Sequence, residues 1–180
     1  MGVCMFSSET YSLEDCYFYD SFTSDNSRFT LIQGTASMVY SDNGLKYTGT
    51  SNTDCIHKLN IDLPEGSYSL ECNVTGASNS GSYSTSLAVE DSMLLQGSSS
   101  VGLYARKIST SGDFFNSHSP FNPPTLIKFE VTGTTSKTIK FYKDSTLLGQ
   151  GTSITRNREF KFRSYNNRMI QIKDLKIKPL

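Results

Sequence analysis

Apolar and polar residues alternate one for one through the C-terminal part of the chain, from Thr125 to Leu180. Successive side chains of a strand point to opposite faces. Ile127, Phe129 and Val131 therefore share one face, and Lys128 and Glu130 the other. Ile139 and Phe141 oppose Lys140 and Tyr142; Phe160 and Phe162 oppose Lys161, Arg163 and Tyr165. One-sided strands of this kind belong to antiparallel sheets with one buried and one wet face. In the last segment the phase slips: Ile170 and Ile172 fall on even positions, Leu175 and Ile177 on odd ones. One extra residue near Lys173-Asp174 restores it, which predicts a β-bulge or bend there.

The rest of the chain follows the same rule in shorter pieces. Residues 17–22 read as a first strand, Phe29 to Gln33 as a second that Gly34 ends. Ala36–Tyr40 and Leu45–Thr48 flank Ser41-Asp42-Asn43-Gly44, the clearest hairpin signal in the sequence. Cys55–Leu63, Tyr68–Val74, Tyr83–Val89, Ser92–Gln96 and Val101–Ile108 are further strands, separated by Pro, Gly, Ser and Asn. Residues 109–124 read as a long loop. Tyr142-Lys143-Asp144-Ser145-Thr146-Leu147-Leu148 reads as strand, tight turn and return strand, because Asp and Ser side chains bond the local backbone. No segment sustains a helical period, and there is no internal repeat. Many short strands with frequent turns predict an all-β sandwich or barrel.

The order of these pieces carries a resemblance. Lys-Phe-Tyr-Lys-Asp-Ser-Thr-Leu-Leu (residues 140–148) followed by a terminal Met-Ile-Gln-Ile-Lys-Asp-Leu-Lys-Ile (169–177) resembles the end of a concanavalin A-like (laminin G-like) jelly roll. The beginning fits as well: Tyr19-Asp20-Ser21-Phe22, then Asp42-Asn43-Gly44-Leu45, then Gly66 to Glu71. The family's hairpin turn is Asp-Gly, here Asp144-Ser145. The resemblance covers residues 17–180 and implies a two-sheet antiparallel β-sandwich, with residues 1–16 as an N-terminal tail or attachment arm.

Composition sharpens this little. At 180 residues, with 36% hydrophobic and 12% aromatic residues and no Trp, the chain suits one domain whose core Phe and Tyr fill. The net charge is zero, so no global field favours nucleic acid or an anionic membrane. The charge is nevertheless uneven. Residues 1–100 carry 3 − 12 = −9, and residues 101–180 carry 14 − 5 = +9. Either the surface is dipolar and docks on a partner, or strands of the two halves interleave and neutralise each other. Of the four cysteines, Cys4, Cys16, Cys55 and Cys72, none has zinc-site spacing. Cys72 shares a face with Leu70 and Val74 and reads as a buried thiol; a pair among the other three is left open. The first residues lack the basic start of a signal peptide, Phe6 stands where myristoylation prefers Ser or Thr, and no stretch is long enough to span a membrane.

Candidate chemistry is sparse. Catalytic members of the resembled superfamily place paired carboxylates on one strand face through Glu-x-Asp-x-Glu. Here Glu71 stands alone, and Glu90 and Asp91 are adjacent and so point apart. His57 and His118 have no local nucleophile pattern. Calcium is the one cofactor left open, through Asp42 with Asn43 or Asp20 with Asp25 and Asn26, although turn chemistry explains these residues equally. Long loops are often functional, and 109–124 carries Phe114, Phe115, His118 and Phe121, rings suited to stacking on sugars or to sealing the core. Tyr104 and Arg106 fall together on the polar face of their strand.

The expectation is a non-catalytic carbohydrate-binding or adhesion module with no required cofactor. Its candidate ligand residues are Tyr104, Arg106, Phe114, Phe115, His118 and Phe121. The expected partners are a glycan or cell-surface polysaccharide and, through residues 1–16, a neighbouring structural protein, with no nucleic acid and no membrane insertion. The Ser/Thr-rich surface resembles that of virion tail, fibre or capsid-decorating modules, which implies a virion or extracellular surface; this is analogy of fold. The alternative is a structural protein that packs into a homo-oligomer or virion without binding glycans, recognisable by apolar side chains on an edge strand.

Overall fold

A computed structural model describes residues 16–50, 53–78, 85–90, 92–96, 103–107, 113–119, 122–153, 157–165 and 167–180. Among these residues the structure is all β, and no helix is long and apolar enough to cross a membrane. The strands are β1 (Phe18–Asp20), β2 (Phe29–Gln33), β3 (Ala36–Ser41), β4 (Gly44–Gly49), β5 (Cys55–Leu59), β6 (Tyr68–Ala77), β7 (Thr85–Val89), β8 (Ser92–Gln96), β9 (Leu103–Lys107), β10 (Asp113–Ser119), β11 (Thr125–Thr132), β12 (Lys137–Lys143), β13 (Thr146–Ser153), β14 (Phe160–Ser164) and β15 (Met169–Pro179).

They form two antiparallel sheets. One runs β13-β12-β11-β6-β15-β4-β3, with β1 pairing β15; the other runs β10-β9-β8-β7-β14-β5-β2. The alternation places the core. Phe129, Phe141, Phe160, Phe162, Leu70, Ile172, Leu175 and Ile177 are fully buried between the sheets. Burying each such side chain stabilises by roughly 1.5–3 kcal/mol. Phe129 meets Phe141 edge-on at 5.3 Å, and Phe162 stacks on Tyr47 at 5.3 Å. The phase slip in β15 is a bulge: its register against β6 shifts between Lys173 and Lys176, and Asp174 takes φ 57°. Before the bulge β15 is flanked by β4, and beyond it by β1.

The two predicted hairpins are present. Gly44 closes the β3–β4 turn at φ 92°, and Asp144 opens the β12–β13 turn at φ 55°. Two expectations are corrected. Residues 109–124 are not one long loop: 113–119 form β10, paired with β9 through two register irregularities. The strand from Cys55 ends at Leu59, and Leu63 reaches the core from an irregular segment. Residues 1–15, most of the expected tail, lie outside the described residues, as do Cys4 and Phe121.

The split of charge along the chain is partly offset in space. β6 lies between β11 and β15, and β5 and β7 flank β14. Late cations therefore meet early carboxylates: Lys137–Glu90 at 2.6 Å, Arg163–Asp54 at 2.5 Å, Arg158–Glu65 at 3.1 Å and Lys178–Glu71 at 3.0 Å. These four pairs favour interleaving over a dipolar surface as the meaning of the −9 and +9.

Candidate functional site

The outer face of the seven-stranded sheet gathers the polar side chains that the core excludes. Phe160, Phe162 and Ser164 of β14 point inward and are buried, so Lys161 and Arg163 point outward. Direct register partners in an antiparallel sheet share a face. One outer row then runs Ile56–Arg163–Ser86–Leu95–Tyr104, from β5 across β14, β7 and β8 to β9. The next runs Lys58–Lys161–Ala88–Met93–Arg106–Asp113 and reaches β10. Tyr104 and Arg106 thus lie in the same two rows as Arg163 and Lys161.

β7 runs through the middle of these rows. There the outer positions are Ser86 and Ala88, both buried, and the strands on either side hold Arg163, Lys161, Leu95 and Met93 at the same register. Ser86 Oγ is buried there without a hydrogen-bond partner among the described residues. The charged groups beside it are tied down. Asp54 accepts from Arg163 Nη2, and Glu159 takes both Lys58, at 3.0 Å, and Lys161. Burial raises the Glu159 carboxyl, but the hydrogen bonds of Lys161 and Lys58 outweigh it and hold the group below its ordinary value. Ion-paired polar groups held across one sheet face suit a ligand recognised through hydroxyls.

The other candidates separate. Phe115 pairs with Ala105, which falls in the inner row of Leu94, Leu87 and Phe162. Phe114 and His118 lie on β10 at positions without a register partner. His57 sits in the inner row, half-buried, 3.2 Å from the Tyr47 hydroxyl, and burial lowers its pKa. It is a core histidine. Glu71 belongs to the other sheet and pairs with Lys178; Glu90 is buried against Lys137. These carboxylates do not come together as an acid and a nucleophile. The aspartates weighed for calcium do turn work: Asp20 Oδ1 accepts from Phe22 N at 2.7 Å, and Asp25 Oδ1 from Ser27 N at 2.8 Å. Among the described residues no group of three His, Cys, Asp or Glu side chains is placed to hold a metal.

No family model matches the chain, and no curated protein matches it in sequence. Solved structures do match in fold. The cellulose-induced protein Cip1 superposes with a TM-score of 0.65 at 14% identity, over 90% of this chain and 97% of that one. The Crh5 transglycosylase in complex with NAG gives 0.64 at 10% identity, over 89% and 83%. The carbohydrate-binding module CBM66 from Bacillus subtilis gives 0.58 at 12%, over 84% and 95%. The fold is the lectin-type jelly-roll β-sandwich of these proteins.

Proposed function

We propose that this chain is a non-catalytic glycan-binding or adhesion module whose ligand lies across the outer face of the seven-stranded sheet. The observation that carries the reading is the pair of register rows that bring Tyr104 and Arg106 into line with Arg163 and Lys161 across β7. An aromatic ring in register with ion-paired polar groups supplies stacking and directed hydrogen bonds, the two means by which a polyol is held. The fold neighbours support it, because carbohydrate binding is in the name of one and NAG in the complex of another. Binding needs no metal, so chelation with EDTA leaves it unchanged.

The test is a glycan array with the wild-type chain and with Tyr104→Ala and Arg163→Ser. Several related hits that both substitutions erase support the reading. An empty array removes it. The module sits, in this reading, on a virion or other extracellular surface, with residues 1–16 as its attachment arm. Deleting residues 1–16 then leaves array binding intact and releases the module from its neighbour.

One observation favours assembly as a second reading. At one flank β10 and β13 pack together and close the sandwich. At the other, the edge strands β2 and β3 expose Leu31, Ile32 and Val39, and residues 29–41 carry no charge and no proline. Native edges are usually blunted by such residues. β2 is bulged at Leu31–Gln33, but β3 is in unbroken register with β4. A second copy adding its β3 antiparallel to this one gives a closed two-fold dimer. Sedimentation decides it: a monomer at micromolar concentration, or a dimer indifferent to Val39→Lys, excludes this edge.

A further inference from the structure

A cavity of about 410 Å³ opens at one end of the sandwich, away from the rows described above. Its walls come from five separate segments: Tyr17 and Phe18 at β1, Arg28 before β2, Ile61, Asp62 and 64–66 after β5, Arg158 before β14, and Ile177 on β15. That volume is within the roughly 300–1,000 Å³ of small-molecule sites. Phe18, Ile61, Pro64 and Ile177 make one part of the lining apolar, and Tyr17 stands at the site 47% exposed.

The polar part of the lining is rich in donors. Arg28 lies 5.5 Å over the Phe18 ring, and its Nε is 3.1 Å from Asp20 Oδ2. That contact is an ion pair without hydrogen-bond alignment. It leaves Nη1 and Nη2 of Arg28 with no acceptor among the described residues. Arg158 spends Nε on the Leu63 carbonyl at 2.5 Å and Nη1 on Glu65 at 3.1 Å, leaving Nη2. The two guanidinium side chains are only 20% and 34% exposed, whereas Glu65, at 81%, is bathed in water that screens it. The one other carboxylate of the lining is the exposed Asp62. Three guanidinium nitrogens, Arg28 Nη1 and Nη2 and Arg158 Nη2, are thus left uncommitted at the cavity, beside the carboxylates of Asp20, Asp62 and Glu65. A planar fork beside a half-exposed phenol selects a carboxylate carried on a ring.

We propose that this end cavity binds a sugar acid, such as a hexuronate at the end of a polysaccharide, with its carboxylate on the free nitrogens of Arg28 and Arg158 and its ring against Tyr17. The inference rests on the glycan-binding reading and adds to it a second subsite and the class of sugar that fills it.

The probes are glucuronate, its methyl ester and glucose, titrated into the full chain by calorimetry or saturation-transfer NMR. Glucuronate binds, and glucose and the ester bind at least about tenfold more weakly, because a charge-assisted pair of hydrogen bonds is lost. Tyr17→Ala and Arg28→Lys weaken glucuronate by a similar factor; the lysine keeps the charge opposite Asp20 but not the fork. Asp62→Asn acts oppositely and tightens glucuronate about two- to fivefold by removing a like charge at the site. An unfolded variant cannot produce that gain. Equal binding of acid, ester and glucose overturns the proposal. So does glucuronate binding that survives Tyr17→Ala and Arg28→Lys but falls with Arg163→Ser, which puts the acid on the sheet face and leaves the broader reading standing. Failure of every sugar, on the array and in solution, removes both.

Discussion

Replacing Lys137 by Met tests the one ion pair among the described residues that the sandwich encloses completely. Lys137 Nζ lies 2.6 Å from Glu90 Oε1, the Tyr68 hydroxyl donates to the same oxygen at 2.9 Å, and the ammonium sits 5.8 Å from the Tyr68 ring centre. The side chains of Lys137 and Glu90 are 3% and 0% exposed. Glu90 Oε2 has no hydrogen-bond partner among the described residues. Burial, then the neighbouring Glu90 charge, pushes the Tyr68 hydroxyl far above its ordinary pKa, so it stays protonated and donates. The carboxylate therefore depends on one cation and one hydroxyl. Methionine fills similar space and leaves the charge with the hydroxyl alone. Breaking a buried pair from one side costs about 3–5 kcal/mol, because an uncompensated charge is left behind.

That loss is a large part of the roughly 5–15 kcal/mol that holds a domain together. For a chain of this length it lowers Tm by roughly 6–20 °C. Urea unfolding followed by far-UV circular dichroism gives the number directly, as a lower midpoint at unchanged slope. The second arm is Lys137→Met with Glu90→Gln. It buries no charge, and Gln keeps an acceptor for Tyr68, so it recovers at least about 1 kcal/mol relative to the sum of the single changes. A single variant within about 1 kcal/mol of wild type, or a double variant as unstable as the sum, would refute the argument that the pair is held by its own desolvation.

Three further outcomes follow from the geometry. Gly44→Ala forces a side chain into a left-handed backbone at φ 92° and drives its Cβ into the Ile172 carbonyl; thermal melting should show a loss of at least about 1–3 kcal/mol. Glu159→Gln should flatten the acid limb of the stability profile. The carboxyl is held below its usual value in the folded state, so its contribution is present above the ordinary carboxylate pKa and disappears as pH falls through the lower folded value. Denaturant titrations at pH 3 to 6 check this, and an unchanged limb contradicts it. Cys72 is fully buried, and desolvation, with the charge of Glu71 adding to it, raises its thiol to about 12. Mass spectrometry after iodoacetamide at pH 8 should find Cys72 unmodified in the native chain and labelled in urea.

Alternation exposes the core so well because burial is a property of one strand and its two faces. Phe129, Phe141, Phe160 and Phe162 could be placed inside from their neighbours alone, and the bulge at Asp174 from a slip of one residue. β10 was hidden for the opposite reason. Its sequence, Asp-Phe-Phe-Asn-Ser-His-Ser, has turn-forming residues and no alternation, and its pairing with β9 is irregular at two points. A strand held by its partner's register leaves no period of its own.

The site shows the limit of reading one strand at a time. Alternation gave Tyr104 and Arg106 a polar face, but not the sheet that the face belongs to, nor its neighbours. Those are fixed by pairings between distant segments: Arg163 with Ser86, Ser86 with Leu95, Leu95 with Tyr104. The end cavity is less legible still, since Tyr17, Arg28, Asp62 and Arg158 share no spacing that a motif could capture. The same interleaving that partly offsets the −9 and +9 of the two halves builds both places. Where a pair of early carboxylate and late cation lies at the surface, as Arg163–Asp54 and Arg158–Glu65 do, it fixes a planar group, and a fixed planar group can read hydroxyls where a mobile one would lose its gain to ordering. Neutrality overall, with rigid pairs locally, is consistent with the proposed binding of polar, weakly charged ligands. It argues equally against a surface that attracts polyanions through long-range field.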